Sequence, residues 1–363
     1  MGRFEHMNKK YFADLIVIDL SSVLAGPSVG MFFAELGAHV IKVEHPIHKD
    51  VTRSWKLPEE DAASPVSAYF SSVNYGKDYH FLDLTQAKAR QDLYQLCSTA
   101  DIVVLNFKHG DQEKLHITDD ILRSYNPQLI IGKITGFGDD SDRVAYDLIL
   151  QAESGIMSMN GTPESGPLKI PLALIDVLAA HHLKEGILIA LLERLTHPAG
   201  KTITVSLYDA AVSSLINQSS NYLMAGHVAQ PIGSLHPNIS PYGELFRTKD
   251  SVIITFAIGS DRHFQLLCNE LGIPALAQQP DYSSAQSRVI HRARMAEILA
   301  EEILKHDCAP LLEKMHQLHV PVGRINTVAD VLNQPESKAR VLHEQIEGVD
   351  TLRMESIAFR IKE

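Results

Sequence analysis

Short apolar runs alternate with helical patterns through the first 135 residues, and this alternation limits the folds open to the chain. The apolar runs occupy residues 15–20, 40–43, 102–105 and 129–134, and the helical patterns occupy residues 28–37, 85–98 and 119–125. Short apolar runs of this kind suit strands buried on both faces, and helices between them connect parallel strands. The sequence therefore predicts an α/β fold with a doubly wound, mostly parallel, Rossmann-like sheet and helices on both faces.

The chain has 363 residues, which is more than one average core contains, so we expect two domains. A large α/β domain is predicted over residues 8–215 plus 331–363, and a smaller α+β domain over residues 242–330. Residues 216–241 are rich in Ser, Asn, Gly and Pro without a clear period, which predicts a linker.

Two further elements are predicted outside this alternation. Residues 177–195 form the longest helical pattern, and apolar residues around most of its circumference predict a buried helix. Residues 352–361 have the pattern of a strand without a nearby partner, so we expect the chain to return there to the first sheet.

Composition excludes several classes of function. The formal net charge is −11 and no block of like charge occurs, so nucleic-acid and membrane partners are not expected. The three cysteines are far apart in the chain, which argues against disulfides and thiolate metal sites and favours a reducing cytoplasm. The longest strongly apolar stretch, residues 187–192, is far below the roughly 18–20 residues of a membrane span.

The usual cofactor motifs are also missing. The loop after the first apolar run, SSVLAGP at residues 21–27, lacks the GxGxxG glycines that bind a dinucleotide. Among 18 histidines there is no HExxH, and the adjacent His181 and His182 point about 100° apart on a helix. We expect neither nicotinamide, flavin nor metal.

Asp176 is the one carboxylate in the apolar stretch KIPLALIDVLAA, residues 169–180. An unpaired charge in such surroundings costs roughly several kcal/mol. The residue suits a helix N-cap before Val177, and by itself this interpretation is favoured over catalysis. A helix N-terminus also carries about half a positive charge, which would keep the carboxylate ionised, and its unpaired N–H groups could hold an oxyanion.

Nine segments along the chain carry a family pattern: DLSSVLAGP (19–27), GAHVIKVEHP (37–46), NYGKDYHFLDL (74–84), ADIVVLNFKHG (100–110), ITGFG (134–138), AYDLILQAESGIMSMNG (145–161), the stretch around Asp176, ITVSLYDAA (203–211) and HPNISPYG (236–243). These segments resemble the class III CoA-transferases, the family of formyl-CoA transferase, carnitine CoA-transferase and the 2-methylacyl-CoA racemases. They occur in the family's order over nearly the whole chain.

The resemblance implies that Asp176 is a nucleophile that moves coenzyme A from an acyl-CoA donor to a small carboxylic acid. The expected intermediates are an aspartyl anhydride and an aspartyl-CoA thioester. It also implies a homodimer of interlocked subunits.

Tyr146 separates the transferase members of the family from the racemases. Racemases carry His before the Asp of this motif, whereas tyrosine, with a pKa near 10, is a poor base at pH 7. We therefore expect Tyr146 to line the acyl site, with a packed aromatic as the alternative.

The resemblance also implies a set of CoA contacts. These are Val23, Leu24, Ala25, His45, Lys77, Asn106, Phe107, Lys108 and Lys114. Formyl-CoA transferase has Gln in place of Leu24, which predicts a more apolar acyl group here. His45 and Lys108 stand where Arg is frequent in the family, and any one lysine is more often a solvated surface residue.

His236 and Asn238 are expected to line the acyl pocket, and an ordered linker turn is the alternative. Three rival functions remain besides CoA transfer: a 2-methylacyl-CoA racemase, a nicotinamide dehydrogenase and a non-catalytic acyl-CoA binder. The first is disfavoured by Tyr146 and the second by the missing glycines.

Overall fold

A computed structural model describes residues 11–362, so residues 8–10 of the predicted large domain lie outside the described residues. The chain divides into two compact units. In the described part, the first unit comprises residues 11–231 and 335–362, and the second comprises residues 232–334.

The first unit contains ten strands and eleven α-helices among the described residues. The strands are β1 Ile16–Asp19, β2 His39–Glu44, β3 Lys77–Phe81, β4 Ile102–Leu105, β5 Ile130–Thr135, β6 Gly161–Thr162, β7 Gly166–Pro167, β8 Thr202–Ser206 and, after the second unit, β12 Val341–Ile346 and β13 Val349–Met354. The helices are α1 Ala25–Glu35, α2 Ala68–Ser71, α3 Ala87–Cys97, α4 Asp111–Lys114, α5 Asp119–Tyr125, α6 Asp147–Glu153, α7 Ile156–Met159, α8 Leu174–Arg194, α9 Leu207–Ser213, α10 Ile216–Ala225 and, after the second unit, α16 Pro335–Lys338. A 3-10 turn covers Val51–Ser54.

Six strands form one parallel sheet in the order β3-β2-β1-β4-β5-β8. Alternate residues of the central strands face opposite layers: Val17 and Ile102 pack in the layer of α1 and α8, and Ile18 and Val103 in the layer of α3 and α5. Both faces are therefore covered, which explains why β4 is apolar and buried along its whole length. The predicted α/β sheet is confirmed.

The second unit is an α+β assembly. Its antiparallel sheet has the order β11-β10-β9, from β9 Tyr242–Arg247, β10 Ile253–Ala257 and β11 Val322–Arg324. The helices are α11 Asp261–Glu270, α12 Ala285–Ile290, α13 Arg292–Ile303, α14 Cys308–Gln317 and α15 Val328–Leu332, with a 3-10 turn at Pro274–Gln278. A core that includes Phe256, Leu267 and Leu299 joins the sheet to its helices.

The strand predicted over residues 352–361 is only partly right, and its predicted place in the first sheet is wrong. The strand is β13, which pairs antiparallel with β12 in a separate hairpin. The turn residues Glu347 and Gly348 both have positive φ, as in the two-residue turns that reverse a chain directly. This short reversal supplies a neighbouring partner, so β13 does not need the edge of the large sheet.

The hairpin is attached to the beginning of the chain by polar contacts. Glu347 pairs with Lys49 at 2.7 Å and with Arg53 at 3.0 Å, and Glu344 accepts the backbone N–H of Gly76 at 2.9 Å. Just beyond the hairpin, Glu35 accepts the N–H of Ser356 at 3.1 Å.

Two helices also differ from the sequence interpretation. The segment assigned to the linker contains α10, which ends at Gly226 in a left-handed conformation. Helix α8 begins at Leu174 and buries one stripe, but Ile189 and Leu192 on its other faces are 64% and 68% exposed. The expectation that this helix is buried around most of its circumference is therefore wrong.

Candidate active site

A cavity of about 570 Å³ lies at the carboxyl edge of the six-stranded sheet. Its lining follows β1, β4, β5 and β8 and includes the first turn of α8. Eight of the residues predicted from the sequence line it: Val23, Leu24, Ala25, Asn106, Phe107, Lys108, Tyr146 and Asp176. The strand order changes direction between β1 and β4, and ligands of doubly wound sheets bind at this switch point.

A second cavity, of about 760 Å³, lies along residues 47–65. Its cations are already engaged: Lys49 and Arg53 pair with Glu347, and Lys56 donates to the backbone carbonyls of Asp61 and Ala62. These three cations are therefore not free to bind a ligand, and we place the candidate site at the switch point.

The loop after β1 is held in an unusual conformation. Val23 has φ +72, which is costly for a β-branched residue. Asn106 accepts the N–H of Ser22 at 2.9 Å and donates to its carbonyl at 2.8 Å, while Asp50 accepts the N–H of Val23 at 3.1 Å. The side-chain amide of Asn106 thus supports the cavity wall, a role that differs from the predicted hydrogen bond to CoA.

Lys77 does not fit its predicted role as a phosphate contact. Its ammonium is buried and donates to Asp19 at 2.8 Å, to the carbonyl of Pro27 at 2.9 Å and to Asn74 at 2.8 Å. Burial lowers the pKa of Lys77 to about 8, although the negative charge of Asp19 acts to raise it. All three ammonium protons are used inside the protein, so this assignment is wrong.

The other cations differ in their availability. His45 is absent from the cavity lining, because its Nδ1 accepts the N–H groups of Ile47 and His48 and its Nε2 lies 3.5 Å from Asp83. Lys114 is also outside the lining and pairs with Asp111 at 3.0 Å.

Three cations do line the cavity. Lys133 pairs with Asp119 and Arg143 with Glu153. Lys108 is exposed, and no ion pair joins it to another residue in 11–362. It is therefore the lining cation that is free to bind an anionic ligand.

Asp176 lies in the first turn of α8, two residues after Leu174 begins the helix. The predicted N-cap role is wrong, because the N-cap is Ala173. Within residues 11–362 no hydrogen bond or ion pair joins the Asp176 carboxylate to another side chain. Burial, reinforced by the negative charge of Asp147, raises its pKa from 3.8 to about 7.

This pKa also corrects the expectation that the helix N-terminus keeps Asp176 ionised. Asp147 Oδ1 accepts the N–H of Ile175 at 2.7 Å, so one unpaired amide of the helix start is already occupied by another carboxylate. Burial and the negative charge of Asp147 both disfavour the ionised form of Asp176.

Two tyrosines accompany these carboxylates. Tyr146 lines the cavity and is 59% exposed, so the alternative of a packed aromatic does not hold. Tyr69 was not singled out from the sequence, because it lies on the four-residue helix α2 without a recognisable motif. Burial and the charges of Asp176 and Asp147 raise the pKa of Tyr69 to about 12, so its hydroxyl stays protonated.

The second unit contains His236 and Asn238. The His236 ring lies 4.9 Å from that of Tyr242, and its Nδ1 accepts the N–H of Asn238 at 3.1 Å. These contacts describe an ordered turn, while their place in the acyl pocket stays a prediction.

A doubly wound parallel sheet with a cavity at its switch point defines the class of α/β proteins that bind ligands at the carboxyl ends of their strands. Comparison with known proteins gives the family: a model described as CoA-transferase family III matches residues 12–363. The chain belongs to this family, and the predicted enzyme class, a CoA-transferase, is confirmed.

Individual relatives agree with this assignment. The chain is 37% identical over 340 residues to the succinate–glutarate CoA-transferase of Agrobacterium fabrum, covering 92% of this chain and 84% of that protein. It is 32% identical to the acetyl-CoA:oxalate CoA-transferase of Acetobacter aceti, covering 91% and 84%. A crystal structure of a CaiB/BaiF family protein from Brucella suis superposes with a TM-score of 0.84 at 36% identity, covering 95% and 91%.

Residues 11–362 contain no group of three or more His, Cys, Asp or Glu side chains arranged to hold a metal ion. None of their helices combines the length and the apolar composition that a membrane crossing requires.

The raised pKa of Asp176 predicts a pH-dependent gain of stability in Asp176→Asn. Between about pH 4 and pH 7 the folded protein retains a proton that the unfolded chain releases, so this carboxyl destabilises the fold as the pH rises. The stability advantage of the variant over wild type, measured as the difference in free energy of unfolding, should therefore be roughly 2–4 kcal/mol larger at pH 8 than at pH 4. Denaturant titrations at both pH values measure this change.

Asp92→Asn on α3 is the matched control, because Asp92 is an exposed helical aspartate paired with Lys88. It should show no such gain. If the free energies of unfolding of Asp176→Asn and wild type differ by the same amount at pH 4 and at pH 8, the raised pKa of Asp176 is contradicted.

Proposed function

We propose that the protein transfers CoA from an acyl-CoA donor to a carboxylic acid acceptor through covalent intermediates on Asp176. The observation that carries the proposal is the position of this carboxylate: it lines the switch-point cavity, lacks a partner within the described residues and belongs to a chain of the CoA-transferase family. A pKa near the pH of the cell supports it, because a carboxylate of raised basicity is a better nucleophile.

The reaction proceeds in four steps. A carboxylate oxygen of Asp176 attacks the thioester carbonyl, the C–S bond breaks and CoA departs as the thiolate. The acyl group and Asp176 are then joined in a mixed anhydride. The thiolate then attacks the aspartyl carbonyl and releases the donor acid, which gives an aspartyl-CoA thioester. The acceptor carboxylate attacks this thioester to form a second anhydride, and the released thiolate attacks its acyl carbonyl to give the new acyl-CoA and free Asp176.

Other residues have supporting roles in this proposal. Val23, Leu24 and Ala25 form the wall along which the thioester lies, Phe107 offers a stacking face for adenine and Lys108 binds a CoA phosphate. Tyr146 contacts the acyl group, and the role of His236 and Asn238 in acyl binding stays the prediction that the family resemblance implies.

The acceptor is a short dicarboxylic acid in our proposal. The relatives named for succinate, glutarate and oxalate support this class. Leu24 supports the longer, more apolar members over oxalate, because an apolar side chain replaces the amide found in formyl-CoA transferase. We place the enzyme in the cytoplasm, since all three of its cysteines are buried and unpaired.

Trapping experiments test the covalent mechanism. Incubation with succinyl-CoA followed by borohydride or hydroxylamine should modify Asp176, as read by peptide mass spectrometry, and Asp176→Asn should lose roughly a thousandfold or more of the CoA exchange rate. Asp92→Asn, which carries the same change on α3, should exchange normally.

The same experiment separates the alternatives. Exchange without modification of Asp176 would contradict the mechanism, and acyl-CoA binding with no exchange against any acid would indicate a binding protein. Incorporation of deuterium at the alpha carbon of 2-methylacyl-CoA in ²H₂O would indicate a racemase, because CoA transfer does not break that C–H bond.

Lys108 should contribute to affinity for CoA and little to chemistry. Lys108→Ala should raise the KM for acyl-CoA about tenfold, because it removes a charge-assisted contact to phosphate, with kcat nearly unchanged. The KM for an S-acyl pantetheine, which lacks the nucleotide phosphates, should not change. Lys88→Ala, at an exposed lysine of α3, is the control, and an equal effect of Lys108→Ala on both substrates would contradict the assignment.

A homodimer is the proposed assembly, with the interlocked arrangement that the family resemblance implies. Exposed apolar side chains support it: Leu192 and Leu195 near the end of α8 are 68% and 82% exposed, and Leu223 and Met224 on α10 are 79% and 87% exposed. Such concentrations of apolar surface are typical of protein interfaces.

Leu223→Glu should therefore shift the protein from dimer to monomer at micromolar concentration, because it buries a charge in the apolar contact. Sedimentation velocity measures the change. Gln95→Glu on the exposed face of α3 is the control. A monomeric wild type at the same concentration would contradict the proposed assembly.

A further inference from the structure

Helix α6 presents two polar side chains, Asp147 and Gln151, to the segment that leads into α8. They are four residues apart and therefore share one face of the helix. Gln151 is fully buried, and its Nε2 donates to Asp147 Oδ2. The two side chains thus act as one connected unit.

Each of them holds a different part of the approach to α8. Gln151 Oε1 accepts the N–H of Ile170 at 2.7 Å, and its Nε2 donates to the carbonyls of Ile170 at 3.2 Å and Leu172 at 3.4 Å. Asp147 Oδ1 accepts the N–H of Ile175 at 2.7 Å. The backbone is therefore fixed both before the helix and in its first turn, one residue from Asp176.

This arrangement matters because the carboxylate of Asp176 has no partner of its own within residues 11–362. Its direction is set by the backbone that carries it, and the backbone is set by contacts from α6. A misplacement of about 1 Å at a reacting group costs on the order of a hundredfold in rate.

Resting on the proposed function, we propose that Asp147 and Gln151 are a positioning pair that orients Asp176 toward the thioester and controls its ionisation. Neither side chain is required to touch the substrate. Asp147 acts through the amide of Ile175 and through its charge, and Gln151 acts through the backbone of residues 170–172.

The electrostatic surroundings of Asp176 allow the role of Asp147 to be isolated. Burial and the charge of Asp147 raise the pKa of Asp176. The charge of Asp176 also acts on Tyr69, which has a pKa of about 12 and stays neutral through the experiment, and Asp50 acts on Tyr69. The same cavity is lined by further titratable side chains that are unchanged in every variant: His109, Glu113, Asp139, Asp140, Asp142 and Tyr146. The cations that line the same cavity are Lys108, Lys133 and Arg143, of which the last two are paired elsewhere.

Two variants of Asp147 separate its charge from its hydrogen bond. Asp147→Asn removes the charge and the acceptor for Gln151 Nε2 but keeps an oxygen that can accept the amide of Ile175, whereas Asp147→Ala removes the charge and both acceptors. The titration of Asp176 is followed by NMR of [¹³C]carboxyl-labelled aspartate, with the resonance assigned by its loss in Asp176→Asn. Amide exchange at Ile175 and the pH profile of CoA exchange from succinyl-CoA are measured on the same full-length proteins.

In Asp147→Asn the midpoint for Asp176 should fall by about one pH unit, and the acid limb of kcat/KM should shift with it. At pH 9, where Asp176 is ionised in every variant, Asp147→Asn should keep kcat within about tenfold of wild type. Asp147→Ala should lose about a hundredfold and lose protection of the Ile175 amide. The KM for succinyl-CoA should change less than threefold in both.

Asp92→Asn, the matched exposed aspartate of α3, should move none of these values. An unchanged Asp176 midpoint in Asp147→Asn would overturn the proposal, as would equal kcat values for the Asn and Ala variants at pH 9. If Asp147→Ala does not fold, the titration of the isosteric Asn variant decides. If wild type exchanges no CoA, the proposed function fails, while the titration and the Ile175 amide still decide whether the pair controls Asp176.

Discussion

The reversal of strand order between β1 and β4 is the constraint on which the site depends. In a parallel sheet wound in two directions, the connections on either side of this point leave to opposite faces, so a crevice remains at the carboxyl edge. The loop after β1 and the loop after β4 form its walls, and Asn106 joins them through the backbone of Ser22. The geometry of the sheet therefore determines where Asp176 can meet a ligand.

Two aspartates of the first unit, Asp19 and Asp176, have opposite electrostatic surroundings. Asp19 and Lys77 lie opposite each other beneath the loop after β1 with their hydrogen-bonding groups satisfied, and although burial acts to raise the pKa of Asp19, Lys42 and Lys77 lower it to about 2. Asp176 is left without a cation and beside Asp147, so its charged form is disfavoured. The charges of Asp19 and Lys77 are thus paired inside the protein, whereas the carboxylate of Asp176 has no cation partner within the described residues.

The sequence predicted what depends on local periodicity or on a contiguous motif. Such features include the sheet, the helices around it and four residues that line the cavity: Val23, Phe107, Tyr146 and Asp176. The pairing of Lys77 with Asp19 and that of Asn106 with Ser22 were not of this kind, because these partners lie 58 and 84 residues away and nothing in the local pattern identifies them. The first turn of α8 was misplaced because Leu174 and Ile175 resemble the preceding apolar loop, and the contact from Asp147 to the N–H of Ile175 spans 28 residues.

The hairpin at the end of the chain has a consequence for biosynthesis. Its acidic residues bind Lys49, Arg53 and the backbone of Gly76, and the Lys49–Glu347 pair spans 298 positions. A ribosome must therefore translate the whole second unit and the hairpin before the first unit can complete its set of internal contacts. A nascent chain halted before the hairpin leaves the polar groups of residues 35–76 without these C-terminal partners, so their contacts form only after the hairpin has been synthesised.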